Sequence, residues 1–184
     1  MTGFAGHGGD RREPLYEQVA NTYGGLLARL AAGYEADPAL REDLEQEIHL
    51  QLWRSLERFR GQCRLATWIY RVAHNVGAGH IDKALRRRRT MSLVALGDAE
   101  LCDQRAGPEE RTDATLALER LYGLIHKLRP LDRQVVLLYL EDLDAAAIAE
   151  VTGLTAGAVA PRVHRIKTVL KKAFAPEATH DPVA

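Results

Sequence analysis

Cysteine is nearly missing from this chain of 184 residues, which has only Cys63 and Cys102. With no Cys or His at ligand spacing from either, they make neither a disulfide framework nor a zinc site, and free thiols in a reducing compartment are expected. No apolar run approaches the length that crosses a bilayer, and the N-terminus lacks the apolar core of a secretory leader. A cytoplasmic protein without membrane insertion is expected. The seven histidines show no H-E-x-x-H spacing, and His74 and His80 would project about 240° apart on a helix, too far round to share a metal. A G-K-[ST] phosphate loop and a G-x-S-x-G elbow are absent as well. These absences point away from a metal, a cofactor and catalysis.

Excess charge is missing too: 25 Lys and Arg balance 25 Asp and Glu. The balance hides acidic and basic blocks that lie apart in sequence, and local charge is what a nucleic acid meets. Apolar residues make up 46% of the chain and charged residues 27%, a globular composition with room for one ordinary domain or two small ones.

The most informative stretch is 43–89. Leu44, Ile48, Leu52 and Leu56 recur every fourth residue, which predicts an amphipathic helix, with Asp43, Glu45, Gln46 and Glu47 read as its first turn. A second helix carries an apolar stripe of Leu65, Ile69, Val72 or Ala73, and Val76, interleaved with Trp68, Tyr70, Arg71, His74 and Asn75. From Arg54 to Arg89 ten Lys or Arg residues oppose only Glu57 and Asp82. Cations attract phosphates without regard to sequence and aromatic faces stack on exposed bases, so the mixture suits single-stranded or opening DNA. A solvated charged face and a core Trp are the plainer alternatives.

In order, these landmarks are Asp43, Gln46-Glu47, Trp53, Phe59-Arg60-Gly61, Thr67-Trp68, Tyr70-Arg71, Asn75 and Arg86–Arg89. The string closely resembles the polymerase-binding and promoter-melting domain of bacterial sigma factors of the extracytoplasmic-function (ECF) type, within the sigma-70 family. The resemblance implies that Asp43, Gln46, Glu47 and Leu50 bind core RNA polymerase, with Trp53 nearby or in the core. It also implies that Trp68, Tyr70, Arg71, Asn75, Arg86, Arg87, Arg88 and Arg89 serve melting and minus-ten recognition. Asn75 can offer a donor and an acceptor to an extruded base, Trp68 and Tyr70 planar faces, and the arginines phosphate contacts.

The expected architecture is all-α, with two small helical domains joined by a flexible acidic linker. Gly-rich residues 1–13 are expected to be disordered. Residues 14–89 form the first domain, opening with a helix from Leu15 interrupted at Gly24-Gly25 and punctuated at Gly33 and Asp37-Pro38. Gly77 and Gly79 imply either a helix break or a close helix contact. Residues 90–113 read as the linker; in the family it enters the polymerase's RNA path. Residues 114–175 form the second domain and 176–184 a loose tail.

In the second domain, Leu118, Leu121, Leu124, Ile125 and Leu128 predict one helix, and Pro130 begins another. Asp144 and Gly153 bracket a short helix, and Thr155 caps the last. The spacing of Ala149, Gly153 and Val159 is that of a helix-turn-helix. Together with its surroundings it resembles the promoter-binding domain of the same family, placing Thr155, Arg162, His164, Arg165 and Lys167 toward the minus-thirty-five region. The family's polar or basic residues are replaced by Ala158-Val159-Ala160-Pro161. Pro161 is expected to kink the helix or alter its docking, because it removes the bond to the Gly157 carbonyl. The expected partners are therefore core polymerase, promoter DNA and, further, an anti-sigma factor. The alternatives are a stand-alone helix-turn-helix regulator and a sigma-like interaction protein with impaired minus-thirty-five recognition.

Overall fold

The computed structural model describes the backbone of residues 12–94 and 112–174, and the side chains of 12–87 and 112–174. Within them are seven helices: α1 (Arg12–Tyr34), α2 (Pro38–Leu56), α3 (Leu65–Val94), α4 (Asp113–Ile125), α5 (Pro130–Leu140), α6 (Ala145–Thr152) and α7 (Ala156–Phe174). Helices α1–α3 pack on one another as a first lobe and α4–α7 build a second. Of the N-terminus expected to be disordered over 1–13, Arg12 and Glu13 belong to α1, and of the linker expected over 90–113, residues 90–94 belong to α3 and Asp113 to α4. Residues 1–11, 95–111 and 175–184 lie outside the described residues.

Helix α1 runs through Gly24-Gly25 without the expected interruption. An interior Gly costs about 1 kcal/mol relative to Ala, but Val19 before the pair and Leu27 and Leu30 after it are all fully buried. Packing of one continuous stripe outweighs the local cost. Helix α2 starts at Pro38, with Asp37 accepting from the N–H groups of Ala39 and Leu40 at 3.0 Å. The carboxylates from Asp43 to Glu47 therefore lie in the second and third turns, beyond the strongest dipole effect, and the first-turn reading is corrected. Their purpose is not helix initiation. Leu44, Ile48, Leu52 and Leu56 form the buried face as their spacing requires.

The two glycines of α3 separate cleanly. A Cβ on Gly77 would sit 2.5 Å from the Tyr34 ring, whereas one on Gly79 would meet nothing within 4 Å. Gly77 is thus a close helix contact with α1, and no break occurs in α3.

In the second lobe Asp144 accepts from Ala147 N–H at 2.7 Å, and Gly153 ends α6 in the left-handed conformation with its N–H on the Ala149 carbonyl. Ile148, Val159, Val163 and Ile166 lock α6 to α7. Helix α7 begins at Ala156, as a Thr155 cap position predicts, and continues through Pro161.

The lobes pack against each other, and each finishes a helix end of the other. The last turns of α1 and α6 hold no basic residue, which leaves their carbonyl ends without a cation. At α1, His126 Nε2 lies 2.8 Å from the Ala32 carbonyl and Arg133 donates to the Tyr34 carbonyl at 3.3 Å. At α6, Arg71 donates Nε and Nη2 to the Glu150 carbonyl at 3.1 and 2.6 Å. Arg29 and Glu141 add a two-pronged ion pair at 2.7 Å. Leu137 occupies the space that a side chain on Gly33 would need.

Candidate nucleic-acid interface

Because α2 and α3 lie side by side, their outer edges enclose an open groove of about 570 Å³. Asp43, Glu47 and Gln51 line it from α2; Asn75, Gly79, Lys83 and Arg87 line it from α3. One wall is acidic and the other basic. The lack of a side chain on Gly79 keeps the wall low beside Asn75.

Asp43, Gln46, Asn75, Arg86 and Arg87 are exposed, and Leu50 is 42% exposed despite its apolar side chain. Glu47 is half-buried and accepts from Gln51 Nε2 at 2.7 Å. Trp53 packs edge-on against Tyr16 with the Arg12 guanidinium over its ring, so it belongs to the scaffold below this surface. The side chains of Arg88 and Arg89 lie outside the described residues.

The aromatic residues of α3 do not form an open stacking face. Trp68 is half-buried, donates Nε1–H to Ser55 Oγ at 3.0 Å and tilts against Phe59. Tyr70 is only 6% exposed and stacks on His74. Burial, with the nearby Glu141 carboxylate adding to it, pushes the Tyr70 hydroxyl up to about 12. The expected base-stacking role of Tyr70 is therefore corrected: its helical position turns it toward α1 and the second lobe. Arg71 stands at the lobe junction with Nε and Nη2 on the Glu150 carbonyl of α6, yet its side chain remains exposed.

The cations of α7 divide similarly. Thr155, His164, Arg165 and Lys167 are exposed and Arg162 is half-buried. Arg162 and Arg165 both reach Asp132 of α5, and Lys167 donates to the Tyr139 hydroxyl at 3.1 Å. Ala156, Gly157, Ala158, Ala160 and Pro161 form the exposed N-terminal half of α7 without one hydrogen-bonding side chain. Sequence reading missed Asp132, Arg133, Glu141 and Glu150. Each has a partner distant in the chain or on another helix, and periodicity carries no signal of such pairs.

Among the described residues no group of acidic, His or Cys side chains could hold a metal, and no helix is long and apolar enough to cross a membrane. Cys63 is a free thiol.

The described residues thus place a charged two-helix groove in one lobe and a helix-turn-helix in the other. The model of sigma-70 region 2 matches residues 19–89 and that of sigma-70 region 4 matches residues 118–170. The chain is 28% identical over 169 residues to the ECF RNA polymerase sigma-E factor of Haemophilus influenzae, covering 88% of this chain and 86% of the relative. It is 29% identical over 157 residues to the RNA polymerase sigma factor CarQ of Myxococcus xanthus, covering 85% and 84%. In fold it is similar to CnrH solved in complex with the cytosolic domain of CnrY (TM-score 0.63, 19% identity, 91% of this chain and 92% of that one). It is also similar to the sigma factor RpoE solved with the anti-sigma factor NepR from Bartonella quintana (TM-score 0.66, 17% identity, 86% and 95%). The chain belongs to the sigma-70 family and is of its ECF type, the proteins that bind core RNA polymerase and direct it to promoters.

Proposed function

We propose that the α2/α3 groove is where this sigma factor meets both core polymerase and the opening promoter strand. The observation that carries the reading is the open cleft lined by Asp43 and Glu47 on one wall and by Asn75, Lys83 and Arg87 on the other. Asp43, Gln46, Glu47 and the exposed Leu50 would dock on a basic face of the polymerase. Asn75 would hold an extruded base of the minus-ten element through its amide, and Arg86 to Arg89 would hold phosphates. Trp68, half-buried against Phe59 with its N–H on Ser55, would chiefly support the helix that presents Asn75. The protein acts in the cytoplasm, and bond chemistry belongs to the polymerase.

Arg71, exposed on α3 with Nε and Nη2 on the Glu150 carbonyl, would offer its other N–H groups to a phosphate. An inhibitor is the natural further partner, as the anti-sigma factor NepR is for RpoE. In the second lobe the small exposed residues of α7 cannot hydrogen-bond base edges, so phosphate attraction dominates its DNA binding and direct readout is weak. The test is capture of core polymerase by the Asp43→Lys, Glu47→Lys double variant. Capture is expected to fall at least tenfold while stability falls by no more than about 1 kcal/mol, since Asp43 is exposed and Glu47, half-buried, gives up one hydrogen bond to Gln51. Capture equal to the parent's would remove α2 from the contact.

A further inference from the structure

Three guanidiniums converge on one carboxylate where α5 meets α7. Asp132 is 7% exposed and lies in the first turn of α5. Its Oδ2 accepts from Arg129 Nε and Nη2 at 3.2 and 3.1 Å; its Oδ1 accepts from Arg162 Nη1 and from Arg165 Nη2, the latter at 3.3 Å. Burial raises the pKa of Asp132, but the hydrogen bonds from Arg162 and Arg129 outweigh it and hold the carboxyl below the ordinary value. The three arginines differ in what they have left to offer. The Arg162 side chain is 22% exposed, against 57% for Arg165 and 76% for Arg129.

We propose that Asp132 is a positioning residue for promoter DNA: it uses Arg162 as an internal strut between α5 and α7 and holds Arg165 beside Arg129 as the outward cationic pair that meets phosphate. This rests on the reading of the second lobe as a DNA-binding surface. One carboxylate cancels one of three charges, so the cluster keeps a surplus of two positive charges, carried by its two exposed members. While Asp132 holds it, the half-buried Arg162 guanidinium is turned inward and does not meet a phosphate. Arg162 is thereby reassigned from DNA contact to support.

The salt dependence of binding separates these roles, because each neutralised phosphate adds about 0.9 to the slope of log K against log salt. The full-length chain would be titrated with a short duplex of arbitrary sequence at several salt concentrations. Arg165→Met is expected to lower the slope by about 0.9, which is roughly a 3.5-fold smaller loss of affinity over a fourfold rise in salt. Arg162→Met is expected to leave the slope unchanged. Asp132→Asn frees the strut and is expected to steepen the slope and tighten binding, and Asp132→Glu to restore the parent value. A variant that merely failed to fold would bind more weakly and lose its thermal transition, so tighter binding by Asp132→Asn cannot come from damage. Equal losses of slope for Arg162→Met and Arg165→Met, or no steepening in a folded Asp132→Asn, would overturn the strut assignment while leaving the DNA surface in place. No change in slope for any variant would overturn the DNA reading of this face itself.

Discussion

The two lobes solve the same problem with different materials. In α1–α3, Val19, Leu27, Leu30, Ile48, Leu52 and Ile69 are all fully buried, and that core leaves Asp43, Gln46 and Asn75 free to face outward. The second lobe has a smaller core around Ile125, Val135, Leu138, Ile148 and Val159, and α4 leaves Leu116 and Leu118 about half exposed. There the polar residues also hold the structure: Arg162 and Arg165 reach Asp132, Lys167 reaches Tyr139, and Arg133 reaches across to α1. A small helical unit with little apolar surface to bury has less margin against the entropy of ordering. Charged side chains that a family motif assigns to DNA can therefore be partly committed to the fold.

This contrast can be broken at single residues. The largest effect is expected at Gly77, where a Leu side chain would need the space of the Tyr34 ring. Overpacking of that kind costs about 3 kcal/mol, and denaturant unfolding of Gly77→Leu would measure it. The first lobe is also expected to be acid-sensitive through His74, which is fully buried and whose pKa burial lowers from 6.5 to about 3. Between those values the unfolded chain binds a proton that the folded chain does not. Stability is then complete above pH 6.5 and falls with decreasing pH by up to about 1.4 kcal/mol per unit. Denaturation midpoints at pH 7 and pH 5 test this, and His74→Gln, which can still meet the Tyr34 hydroxyl, is expected to flatten the dependence.

At the junction, Gly33→Leu is expected to push Leu137 away and part the lobes at a cost of about 1–3 kcal/mol. Small-angle scattering would register a larger radius of gyration, and an unchanged radius would mean that the contact yields locally. The smallest effect belongs to Gly79→Ala, where nothing lies within 4 Å of the added carbon. It should gain up to about 1 kcal/mol of helix stability, so two glycines only two positions apart should shift stability in opposite directions.

Much of the fold was legible because it depends on period and punctuation. The Leu44, Ile48, Leu52, Leu56 stripe and the Asp144 and Gly153 boundaries of α6 follow from local chemistry alone. Gly24-Gly25 misled because local propensity is overridden when the residues on either side share one buried stripe. Tyr70 misled for a related reason: helical spacing puts it beside the core, but only the arrival of α1 and the second lobe decides that it is covered. Of the candidate site, the outward-facing positions of Asp43, Gln46, Leu50 and Asn75 follow from the buried stripes of α2 and α3. The commitments of Arg71 and Arg162 were not legible, since Glu150 is 79 residues from Arg71 and Asp132 is 30 from Arg162.

Strand opening by Asn75 is the claim on which the division of labour between the lobes turns. Permanganate reactivity of promoter thymines, measured with core polymerase and either the parent chain or Asn75→Ala, tests it most directly. The account predicts reactive minus-ten thymines with the parent and a marked loss of reactivity with Asn75→Ala, at equal capture of polymerase by both. Equal reactivity at equal capture would contradict it and leave Asn75 as an ordinary exposed residue of α3.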